Sequence, residues 1–217
     1  MLADQLHVLL NQMSHRMRQR GFSLLELMVA LAILGLLVLA AMPSLFTWLT
    51  NVRIRNEGDS IVNGLQTARA EAVRRNQNVS FWLVNLPNPG VLSNSCTLSS
   101  TDGSWMVSVS SPVNYCAVNV NSTDITVNPA GVIAGRAMGG DSAKVSVKAV
   151  QSSGTAGTFV TFNGFGRVAN TSSITEIDLD GIGGSKTYRK LSVMVSTMGA
   201  VRMCDPAVTS TTDPRKC

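Results

Sequence analysis

The sequence predicts an α+β protein: a long N-terminal helix followed by a domain of antiparallel β-sheet. Three observations predict it. Apolar residues crowd into Phe22–Trp48, where Glu26 is the one charged side chain. An amphipathic stripe at helical spacing follows. From residue 79 onward, short runs of Val, Thr, Ser and aromatics alternate with turn clusters. A run of helix and then a run of strands, without βαβ alternation, is the α+β order and argues against a Rossmann or TIM layout.

The length of 217 residues suits one compact domain with an appendage. A hydrophobic share of 45% excludes a disordered chain, and 18 Gly with 7 Pro excludes a collagen-like one. Residues 22–42 give 21 mostly apolar positions, enough for a helix to cross a bilayer core. Arg16, Arg18 and Arg20 precede them, and the positive-inside rule then puts residues 1–21 in the cytoplasm and the rest outside. The remaining excess, 15 basic against 12 acidic residues from Phe22 onward, is too mild to argue nucleic acid by itself.

A cleaved secretory signal is the alternative for this segment, with Ala30-Leu31-Ala32 or Ala40-Ala41 as cut sites. Glu26 counts against it, because a carboxylate inside a disposable apolar stretch is costly and has no use there. The helical pattern also continues. Pro43 removes one backbone donor and is expected to kink the helix without ending it. Leu45, Trp48, Leu49 and Val52 carry the pattern on, and Ile61, Leu65, Ala68 and Ala72 recur at spacings of 4, 3 and 4. Arg53, Arg55, Glu57, Asp59, Gln66, Arg69, Glu71, Arg74 and Arg75 fill the other faces, and Glu71 and Arg75 form an i, i+4 pair. One helix of roughly 80 Å from Ser23 to about Asn76 is expected. The chain thus divides into 1–21, the membrane part 22–42, the amphipathic part 43–76 and a β-rich head, 77–217.

The predicted strands are Val79–Val84, Trp105–Val109, Val118–Val120, Ile125–Val127, Lys144–Val150, Thr158–Phe162, Ile174–Leu179, Leu191–Ser196 and Ala200–Met203. Cys96, Cys116, Cys204 and Cys217 all follow the apolar run, and an even count outside the cytoplasm suggests two disulfides. Cys96–Cys116 with Cys204–Cys217 is the simplest of three connectivities. Zinc would need CxxC spacing or nearby His, and neither exists.

Catalysis lacks a base. The two histidines, His7 and His15, both lie upstream of the apolar run, so the chain is expected not to be an enzyme and to need no cofactor or metal. Glu176, Asp178 and Asp180 alternate as the solvated face of a strand. Asp178-Leu179-Asp180-Gly181 fails as an EF-hand, with Ile182 at position 5 and Arg189 at position 12, and reads as a turn. Gly164-Phe165-Gly166-Arg167-Val168-Ala169 matches GxGxxA only superficially, since its surroundings read as a hairpin turn and not as a βαβ unit.

Gly21-Phe22-Ser23-Leu24-Leu25-Glu26, in register with the basic stretch, the apolar span and the long helix, resembles the leader and N-terminus of type IV pilins and type II secretion pseudopilins. The resemblance implies the type IV pilin fold. It also implies cleavage after Gly21 by a prepilin peptidase, N-methylation of Phe22, and a kink at Pro43. Glu26 is then expected to pair with the Phe22 amine of a neighbouring subunit during filament assembly. Either Met1 or Met17 as start gives the same mature chain.

Leu65–Asn76 and the tail, Arg202-Met203-Cys204-Asp205-Pro206 with Asp213-Pro214-Arg215-Lys216-Cys217, are similar to the GspH/FimT group of minor pilins. The likeness covers residues 16–82 and 191–217 and is closer to the FimT/FimU type than to the secretion pseudopilin. It implies an inner-membrane protein with a periplasmic head that later joins an extracellular pilus, with other pilins as partners. Some members carry a GRxR-like motif tied to DNA uptake. Here the stretch is Gly199-Ala200-Val201-Arg202, with Ala200 in place of the first Arg. Arg202, Arg215 and Lys216 remain as candidates for non-specific contact with double-stranded DNA.

Overall fold

The computed structural model describes residues 22–139, 144–183 and 188–217, and the chain forms two compact units, Met1–Ser44 and Leu45–Cys217. Gly21 and the rest of the expected leader lie outside the described residues. The first unit contains the start of helix α1, Leu24–Arg75. Ser23 caps it, its Oγ accepting the Glu26 N–H at 3.2 Å and its carbonyl accepting the Leu27 N–H at 3.1 Å. The segment Leu24–Met42 is apolar and long enough to cross a membrane, and no side chain in it is buried. Pro43 lies inside α1 and does not end it.

The second unit begins with the amphipathic part of α1, which is therefore integral to the head. The helix stops at Asn76 (φ 50°), whose N–H reaches the Val73 carbonyl at 3.3 Å while the Gln77 N–H reaches Ala72 at 3.2 Å. This is a Schellman end with Asn in the left-handed position. Arg74 and Arg75 complement the helix dipole in the last turn and both bind Glu71, at 2.6 and 2.8 Å.

Among the described residues nine strands follow: β1 Val79–Asn85, β2 Thr97–Leu98, β3 Ser104–Ser108, β4 Val132–Arg136, β5 Val145–Gln151, β6 Phe159–Phe162, β7 Ile174–Gly181, β8 Leu191–Val195 and β9 Val201–Cys204. They make two antiparallel sheets. In the first, β1 pairs β3 on one edge, β6 and β2 share its other edge, and β4 adds to β3. The second runs β5-β7-β8-β9. Ile54, Ile61, Leu65, Ala68 and Ala72 of α1 are fully buried in one core with Phe81, Leu83, Val107, Val147, Phe162, Ile177, Leu179 and Val193, drawn from both sheets. Each large aliphatic side chain so buried contributes about 1.5–3 kcal/mol.

Opposite faces of the sheets differ. The far face of the first sheet carries a second core, Trp82, Val84 and Met106 with Leu86, Cys96, Cys116, Ala130 and Val132. It is stapled by the Cys96–Cys116 disulfide. β1 is consequently buried at every position from Val79 to Val84 and cannot show strict alternation. In the second sheet, Val145, Val147 and Ala149 point inward while Ser146 and Lys148 are exposed, as alternation predicts.

Four expectations need correction. Val118–Val120 and Ile125–Val127 are turns, not strands. Side chains there satisfy the backbone locally: Asn119 Oδ1 accepts from Asn121 N–H, Ser122 Oγ from Asp124 N–H, and Asp124 Oδ1 from Thr126 N–H. Strands β2 and β4 form where none was predicted. Asp178–Gly181 is strand and not a turn, Asp178 pairing with Lys148 and Asp180 with Ser146. Glu57, assigned to the polar side of the helix, is buried at 1% exposure and faces Arg136 of β4 at 3.5 Å.

Candidate functional site

Two regions hold the residues singled out from the sequence. The first is the start of α1. Phe22 is exposed, and Glu26 is the third helical residue, its own N–H bonded to the Ser23 hydroxyl. Ser23 and Glu26 have the S-x-x-E spacing of a capping box. The positive end of the helix dipole lies at this turn and favours a carboxylate there. Glu26 thus sits where a helix tolerates a negative charge best, at the head of a span of exposed Leu, Met, Val and Ile.

The second region is the C-terminal tail. A disulfide joins Cys204 at the end of β9 to Cys217, closing a ring. The Asp205 N–H bonds the Arg215 carbonyl at 2.7 Å, and Arg202 donates from its two terminal nitrogens to the main-chain oxygens of Lys216 and Cys217 at 3.0 and 3.2 Å. The ring therefore gathers Arg202, Arg215 and Lys216 at one end of the second sheet. Their charges are partly engaged. Arg202 clamps the tail, and Arg215 binds both oxygens of Asp213, which is held down to about 2 by those hydrogen bonds. Asp205, also in the ring, binds Arg189 at 2.8 Å. Both carboxylates belong to the tail as read from the sequence, but their pairing with Arg189 and Arg215 was not anticipated.

A groove of about 360 Å³ lies beside the ring, lined by Trp48, Asn51, Val52 and Arg55 of α1, by Arg189 and Leu191, and by Met203–Asp205 with Arg215. Its walls are tied together where Arg189 N–H bonds Asn51 Oδ1 at 2.9 Å. Among the described residues no group of His, Cys, Asp and Glu is arranged to hold a metal.

Comparison with known families adds two matches. Residues 16–42 match the prokaryotic N-terminal methylation motif, and residues 57–199 match the type II transport protein GspH. The chain belongs to the GspH family. Within it, the exposed apolar helix and the methylation motif mark this chain as a pilin-like protein of the GspH/FimT kind, and membership carries processing by a prepilin peptidase and assembly with other pilins in general. No curated protein matches the sequence. Two crystal structures of the type IV minor pilin FimU from Pseudomonas aeruginosa (strain PAO1) are similar in shape at 14% identity. The one in space group P21 has a TM-score of 0.43 and covers 73% of this chain and 92% of that one. The one in space group P65 has a TM-score of 0.41 and covers 72% and 97%.

Proposed function

We propose that this GspH-family chain is a minor pilin of a type IV pilus. It is held in the inner membrane by residues 22–42 with its head in the periplasm, and it then enters the filament through the same helix to help prime assembly. The observation that carries the reading is the division of labour along α1. Ile54, Ile61 and Leu65 are fully buried in the head, whereas the apolar residues of Leu24–Met42 are all exposed and need lipid or sister helices to cover them. Cleavage after Gly21 frees the Phe22 amine, which remains cationic after methylation, and Glu26 of an adjacent subunit neutralises it. Pro43, which withholds one backbone donor, is the expected kink in the helix. The protein acts by assembly and not by catalysis.

N-terminal sequencing of the mature protein tests this. A methylated Phe22 is expected, and a start beyond Ala32 or Ala41 overturns the reading.

The family description favours a second reading, a minor pseudopilin of a type II secretion system. Deleting the gene and scoring pilus number and secretion together separates the two. A fall in pili with secretion intact supports the pilin, and the reverse supports the pseudopilin.

DNA contact belongs to the first reading as a further role, supported by the gathering of Arg202, Arg215 and Lys216 on the tail ring. With Asp205 and Asp213 in the same ring the contact is weak, non-specific and salt-sensitive. The expected result is retardation of duplex DNA at low salt that Lys216→Ala reduces. Absence of retardation at low ionic strength removes this role.

A further inference from the structure

The groove beside the tail ring has a composition that the assembly reading does not use. We propose that, while the chain is anchored in a membrane, this groove holds the phosphate headgroup of an anionic phospholipid. Its apolar lining is Trp48, Val52, Leu191 and Met203. Its charged lining is Arg55, Arg189 and Arg215 with Asp205, and Arg215 is already held by both oxygens of Asp213. Arg189 is committed to Asp205 at 2.8 Å, whereas Arg55 meets Asp59 only at 3.9 Å with 70% of its side chain exposed. Arg55 is thus the arginine with donors to offer a phosphate, and a guanidinium matches phosphate oxygens in a two-pronged geometry. A lining that combines apolar side chains with arginines suits the glycerol and first methylenes of a lipid together with its phosphate. The ammonium of a zwitterionic headgroup, by contrast, would be set against the arginines.

Position supports the same occupant. Trp48 follows Met42, the last residue of the apolar span, by six positions and is 62% exposed, and Phe46 is 55% exposed. Aromatic residues collect at this level of membrane proteins, where an apolar ring meets the headgroups. Trp82 and Trp105 are buried at 8% and 7% exposure, so Trp48 is the indole that lipid reaches.

The inference rests on the membrane anchoring proposed above, and one experiment keeps the two apart. The full-length chain is reconstituted into phosphatidylcholine vesicles in which either phosphatidylglycerol or phosphatidylcholine carries acyl chains brominated close to the glycerol. Tryptophan quenching then gives the relative preference of the Trp48 environment for each lipid. Stronger quenching by the brominated phosphatidylglycerol is expected, falling about fivefold in preference in Arg55→Gln, the weight of one arginine at an anionic surface. Lys148→Gln, on the outer face of the second sheet, is expected to leave it unchanged. Equal quenching by both lipids overturns the headgroup site while leaving the anchor intact. Protein that alkali strips from the vesicles, with quenching by neither lipid, overturns the anchor itself. Preference lost only when sister pilins are added supports the site as one vacated on assembly, and Trp48 shielded from both lipids by the chain alone overturns it.

Discussion

The carboxylate of Glu57, inside the head on α1, meets the guanidinium of Arg136 on β4 at 3.5 Å, with the Glu57 side chain wholly buried and the Arg136 side chain 41% exposed. The asymmetry in exposure sets an asymmetry in cost. Arg136→Ala leaves a buried carboxylate without that cation, whereas Glu57→Gln leaves an arginine that water reaches. Removing one partner of a buried pair costs about 3–5 kcal/mol, and the partial exposure puts Arg136→Ala at the lower end. Urea unfolding of the head is expected to show Arg136→Ala as the more damaging of the two. The reverse order would mean that the pair is not what holds β4 to the helix.

Gly199 sits in the β8–β9 turn at φ +80°, and a Cβ there would run into the Gly166 carbonyl. That carbonyl already accepts a hydrogen bond from Arg69 Nε at 3.0 Å. Gly199→Ala combines a left-handed backbone with this collision and is expected to cost at least about 2 kcal/mol. A thermal midpoint within a degree of the parent would contradict the close approach of the two turns.

Glu176 lies on β7 next to Asp178, and burial, followed by the Asp178 charge, raises its carboxyl above the ordinary 4.5. A carboxyl raised in the folded state holds its proton more tightly there. Its contribution is therefore most favourable below the unfolded value and is lost as the pH rises through the folded one. Glu176→Gln is expected to raise the midpoint of unfolding at pH 7 and to change it little at pH 4. Equal effects at both pH values would rule out titration as the cause.

Asp213 has the opposite sign. Its carboxyl is lowered from 3.8 to about 2, chiefly by the side-chain hydrogen bond from Arg215. The pairing is complete above about pH 4 and is lost as the pH falls through 2. Carboxyl NMR shifts are expected to show a midpoint near 2 that returns toward 3.8 in Arg215→Ala. A normal midpoint in the parent would mean that Arg215 is turned away from Asp213 in solution.

The Cys96–Cys116 bridge closes a separation of 20 residues and both sulfurs lie in the second core. Replacing the two cysteines by Ala is expected to cost about 3 kcal/mol from loop closure alone. Calorimetry of the oxidised parent against that variant checks it, and an unchanged midpoint would show the outer layer to be held by its apolar contacts only.

Much of this fold was legible because its signals are local. The apolar span, the stripe ending at Ala72 and the alternation of β5 can each be read from one continuous stretch of sequence. What was not legible depends on partners far along the chain. Glu57 looks like a surface charge until Arg136 arrives from 79 positions away. β4, with Gly135 inside it, is a strand only because β3 supplies the ladder. Conversely, Val118–Val120 and Ile125–Val127 carry strand-like residues, yet their Asn, Ser and Asp neighbours capture the backbone first. In the tail, the basic residues were visible in sequence. That Arg202 would direct its donors to the main-chain oxygens of Lys216 and Cys217 was not.

The double covering of β1 has an immunological corollary. An antibody raised against the native head would recognise the outer layer stapled by Cys96–Cys116, or the open flank bearing Lys148 and Glu176, and never the strand from Val79 to Val84. Serum that recognises that strand therefore reports denatured antigen, which makes the central strand a built-in gauge of how intact a preparation is.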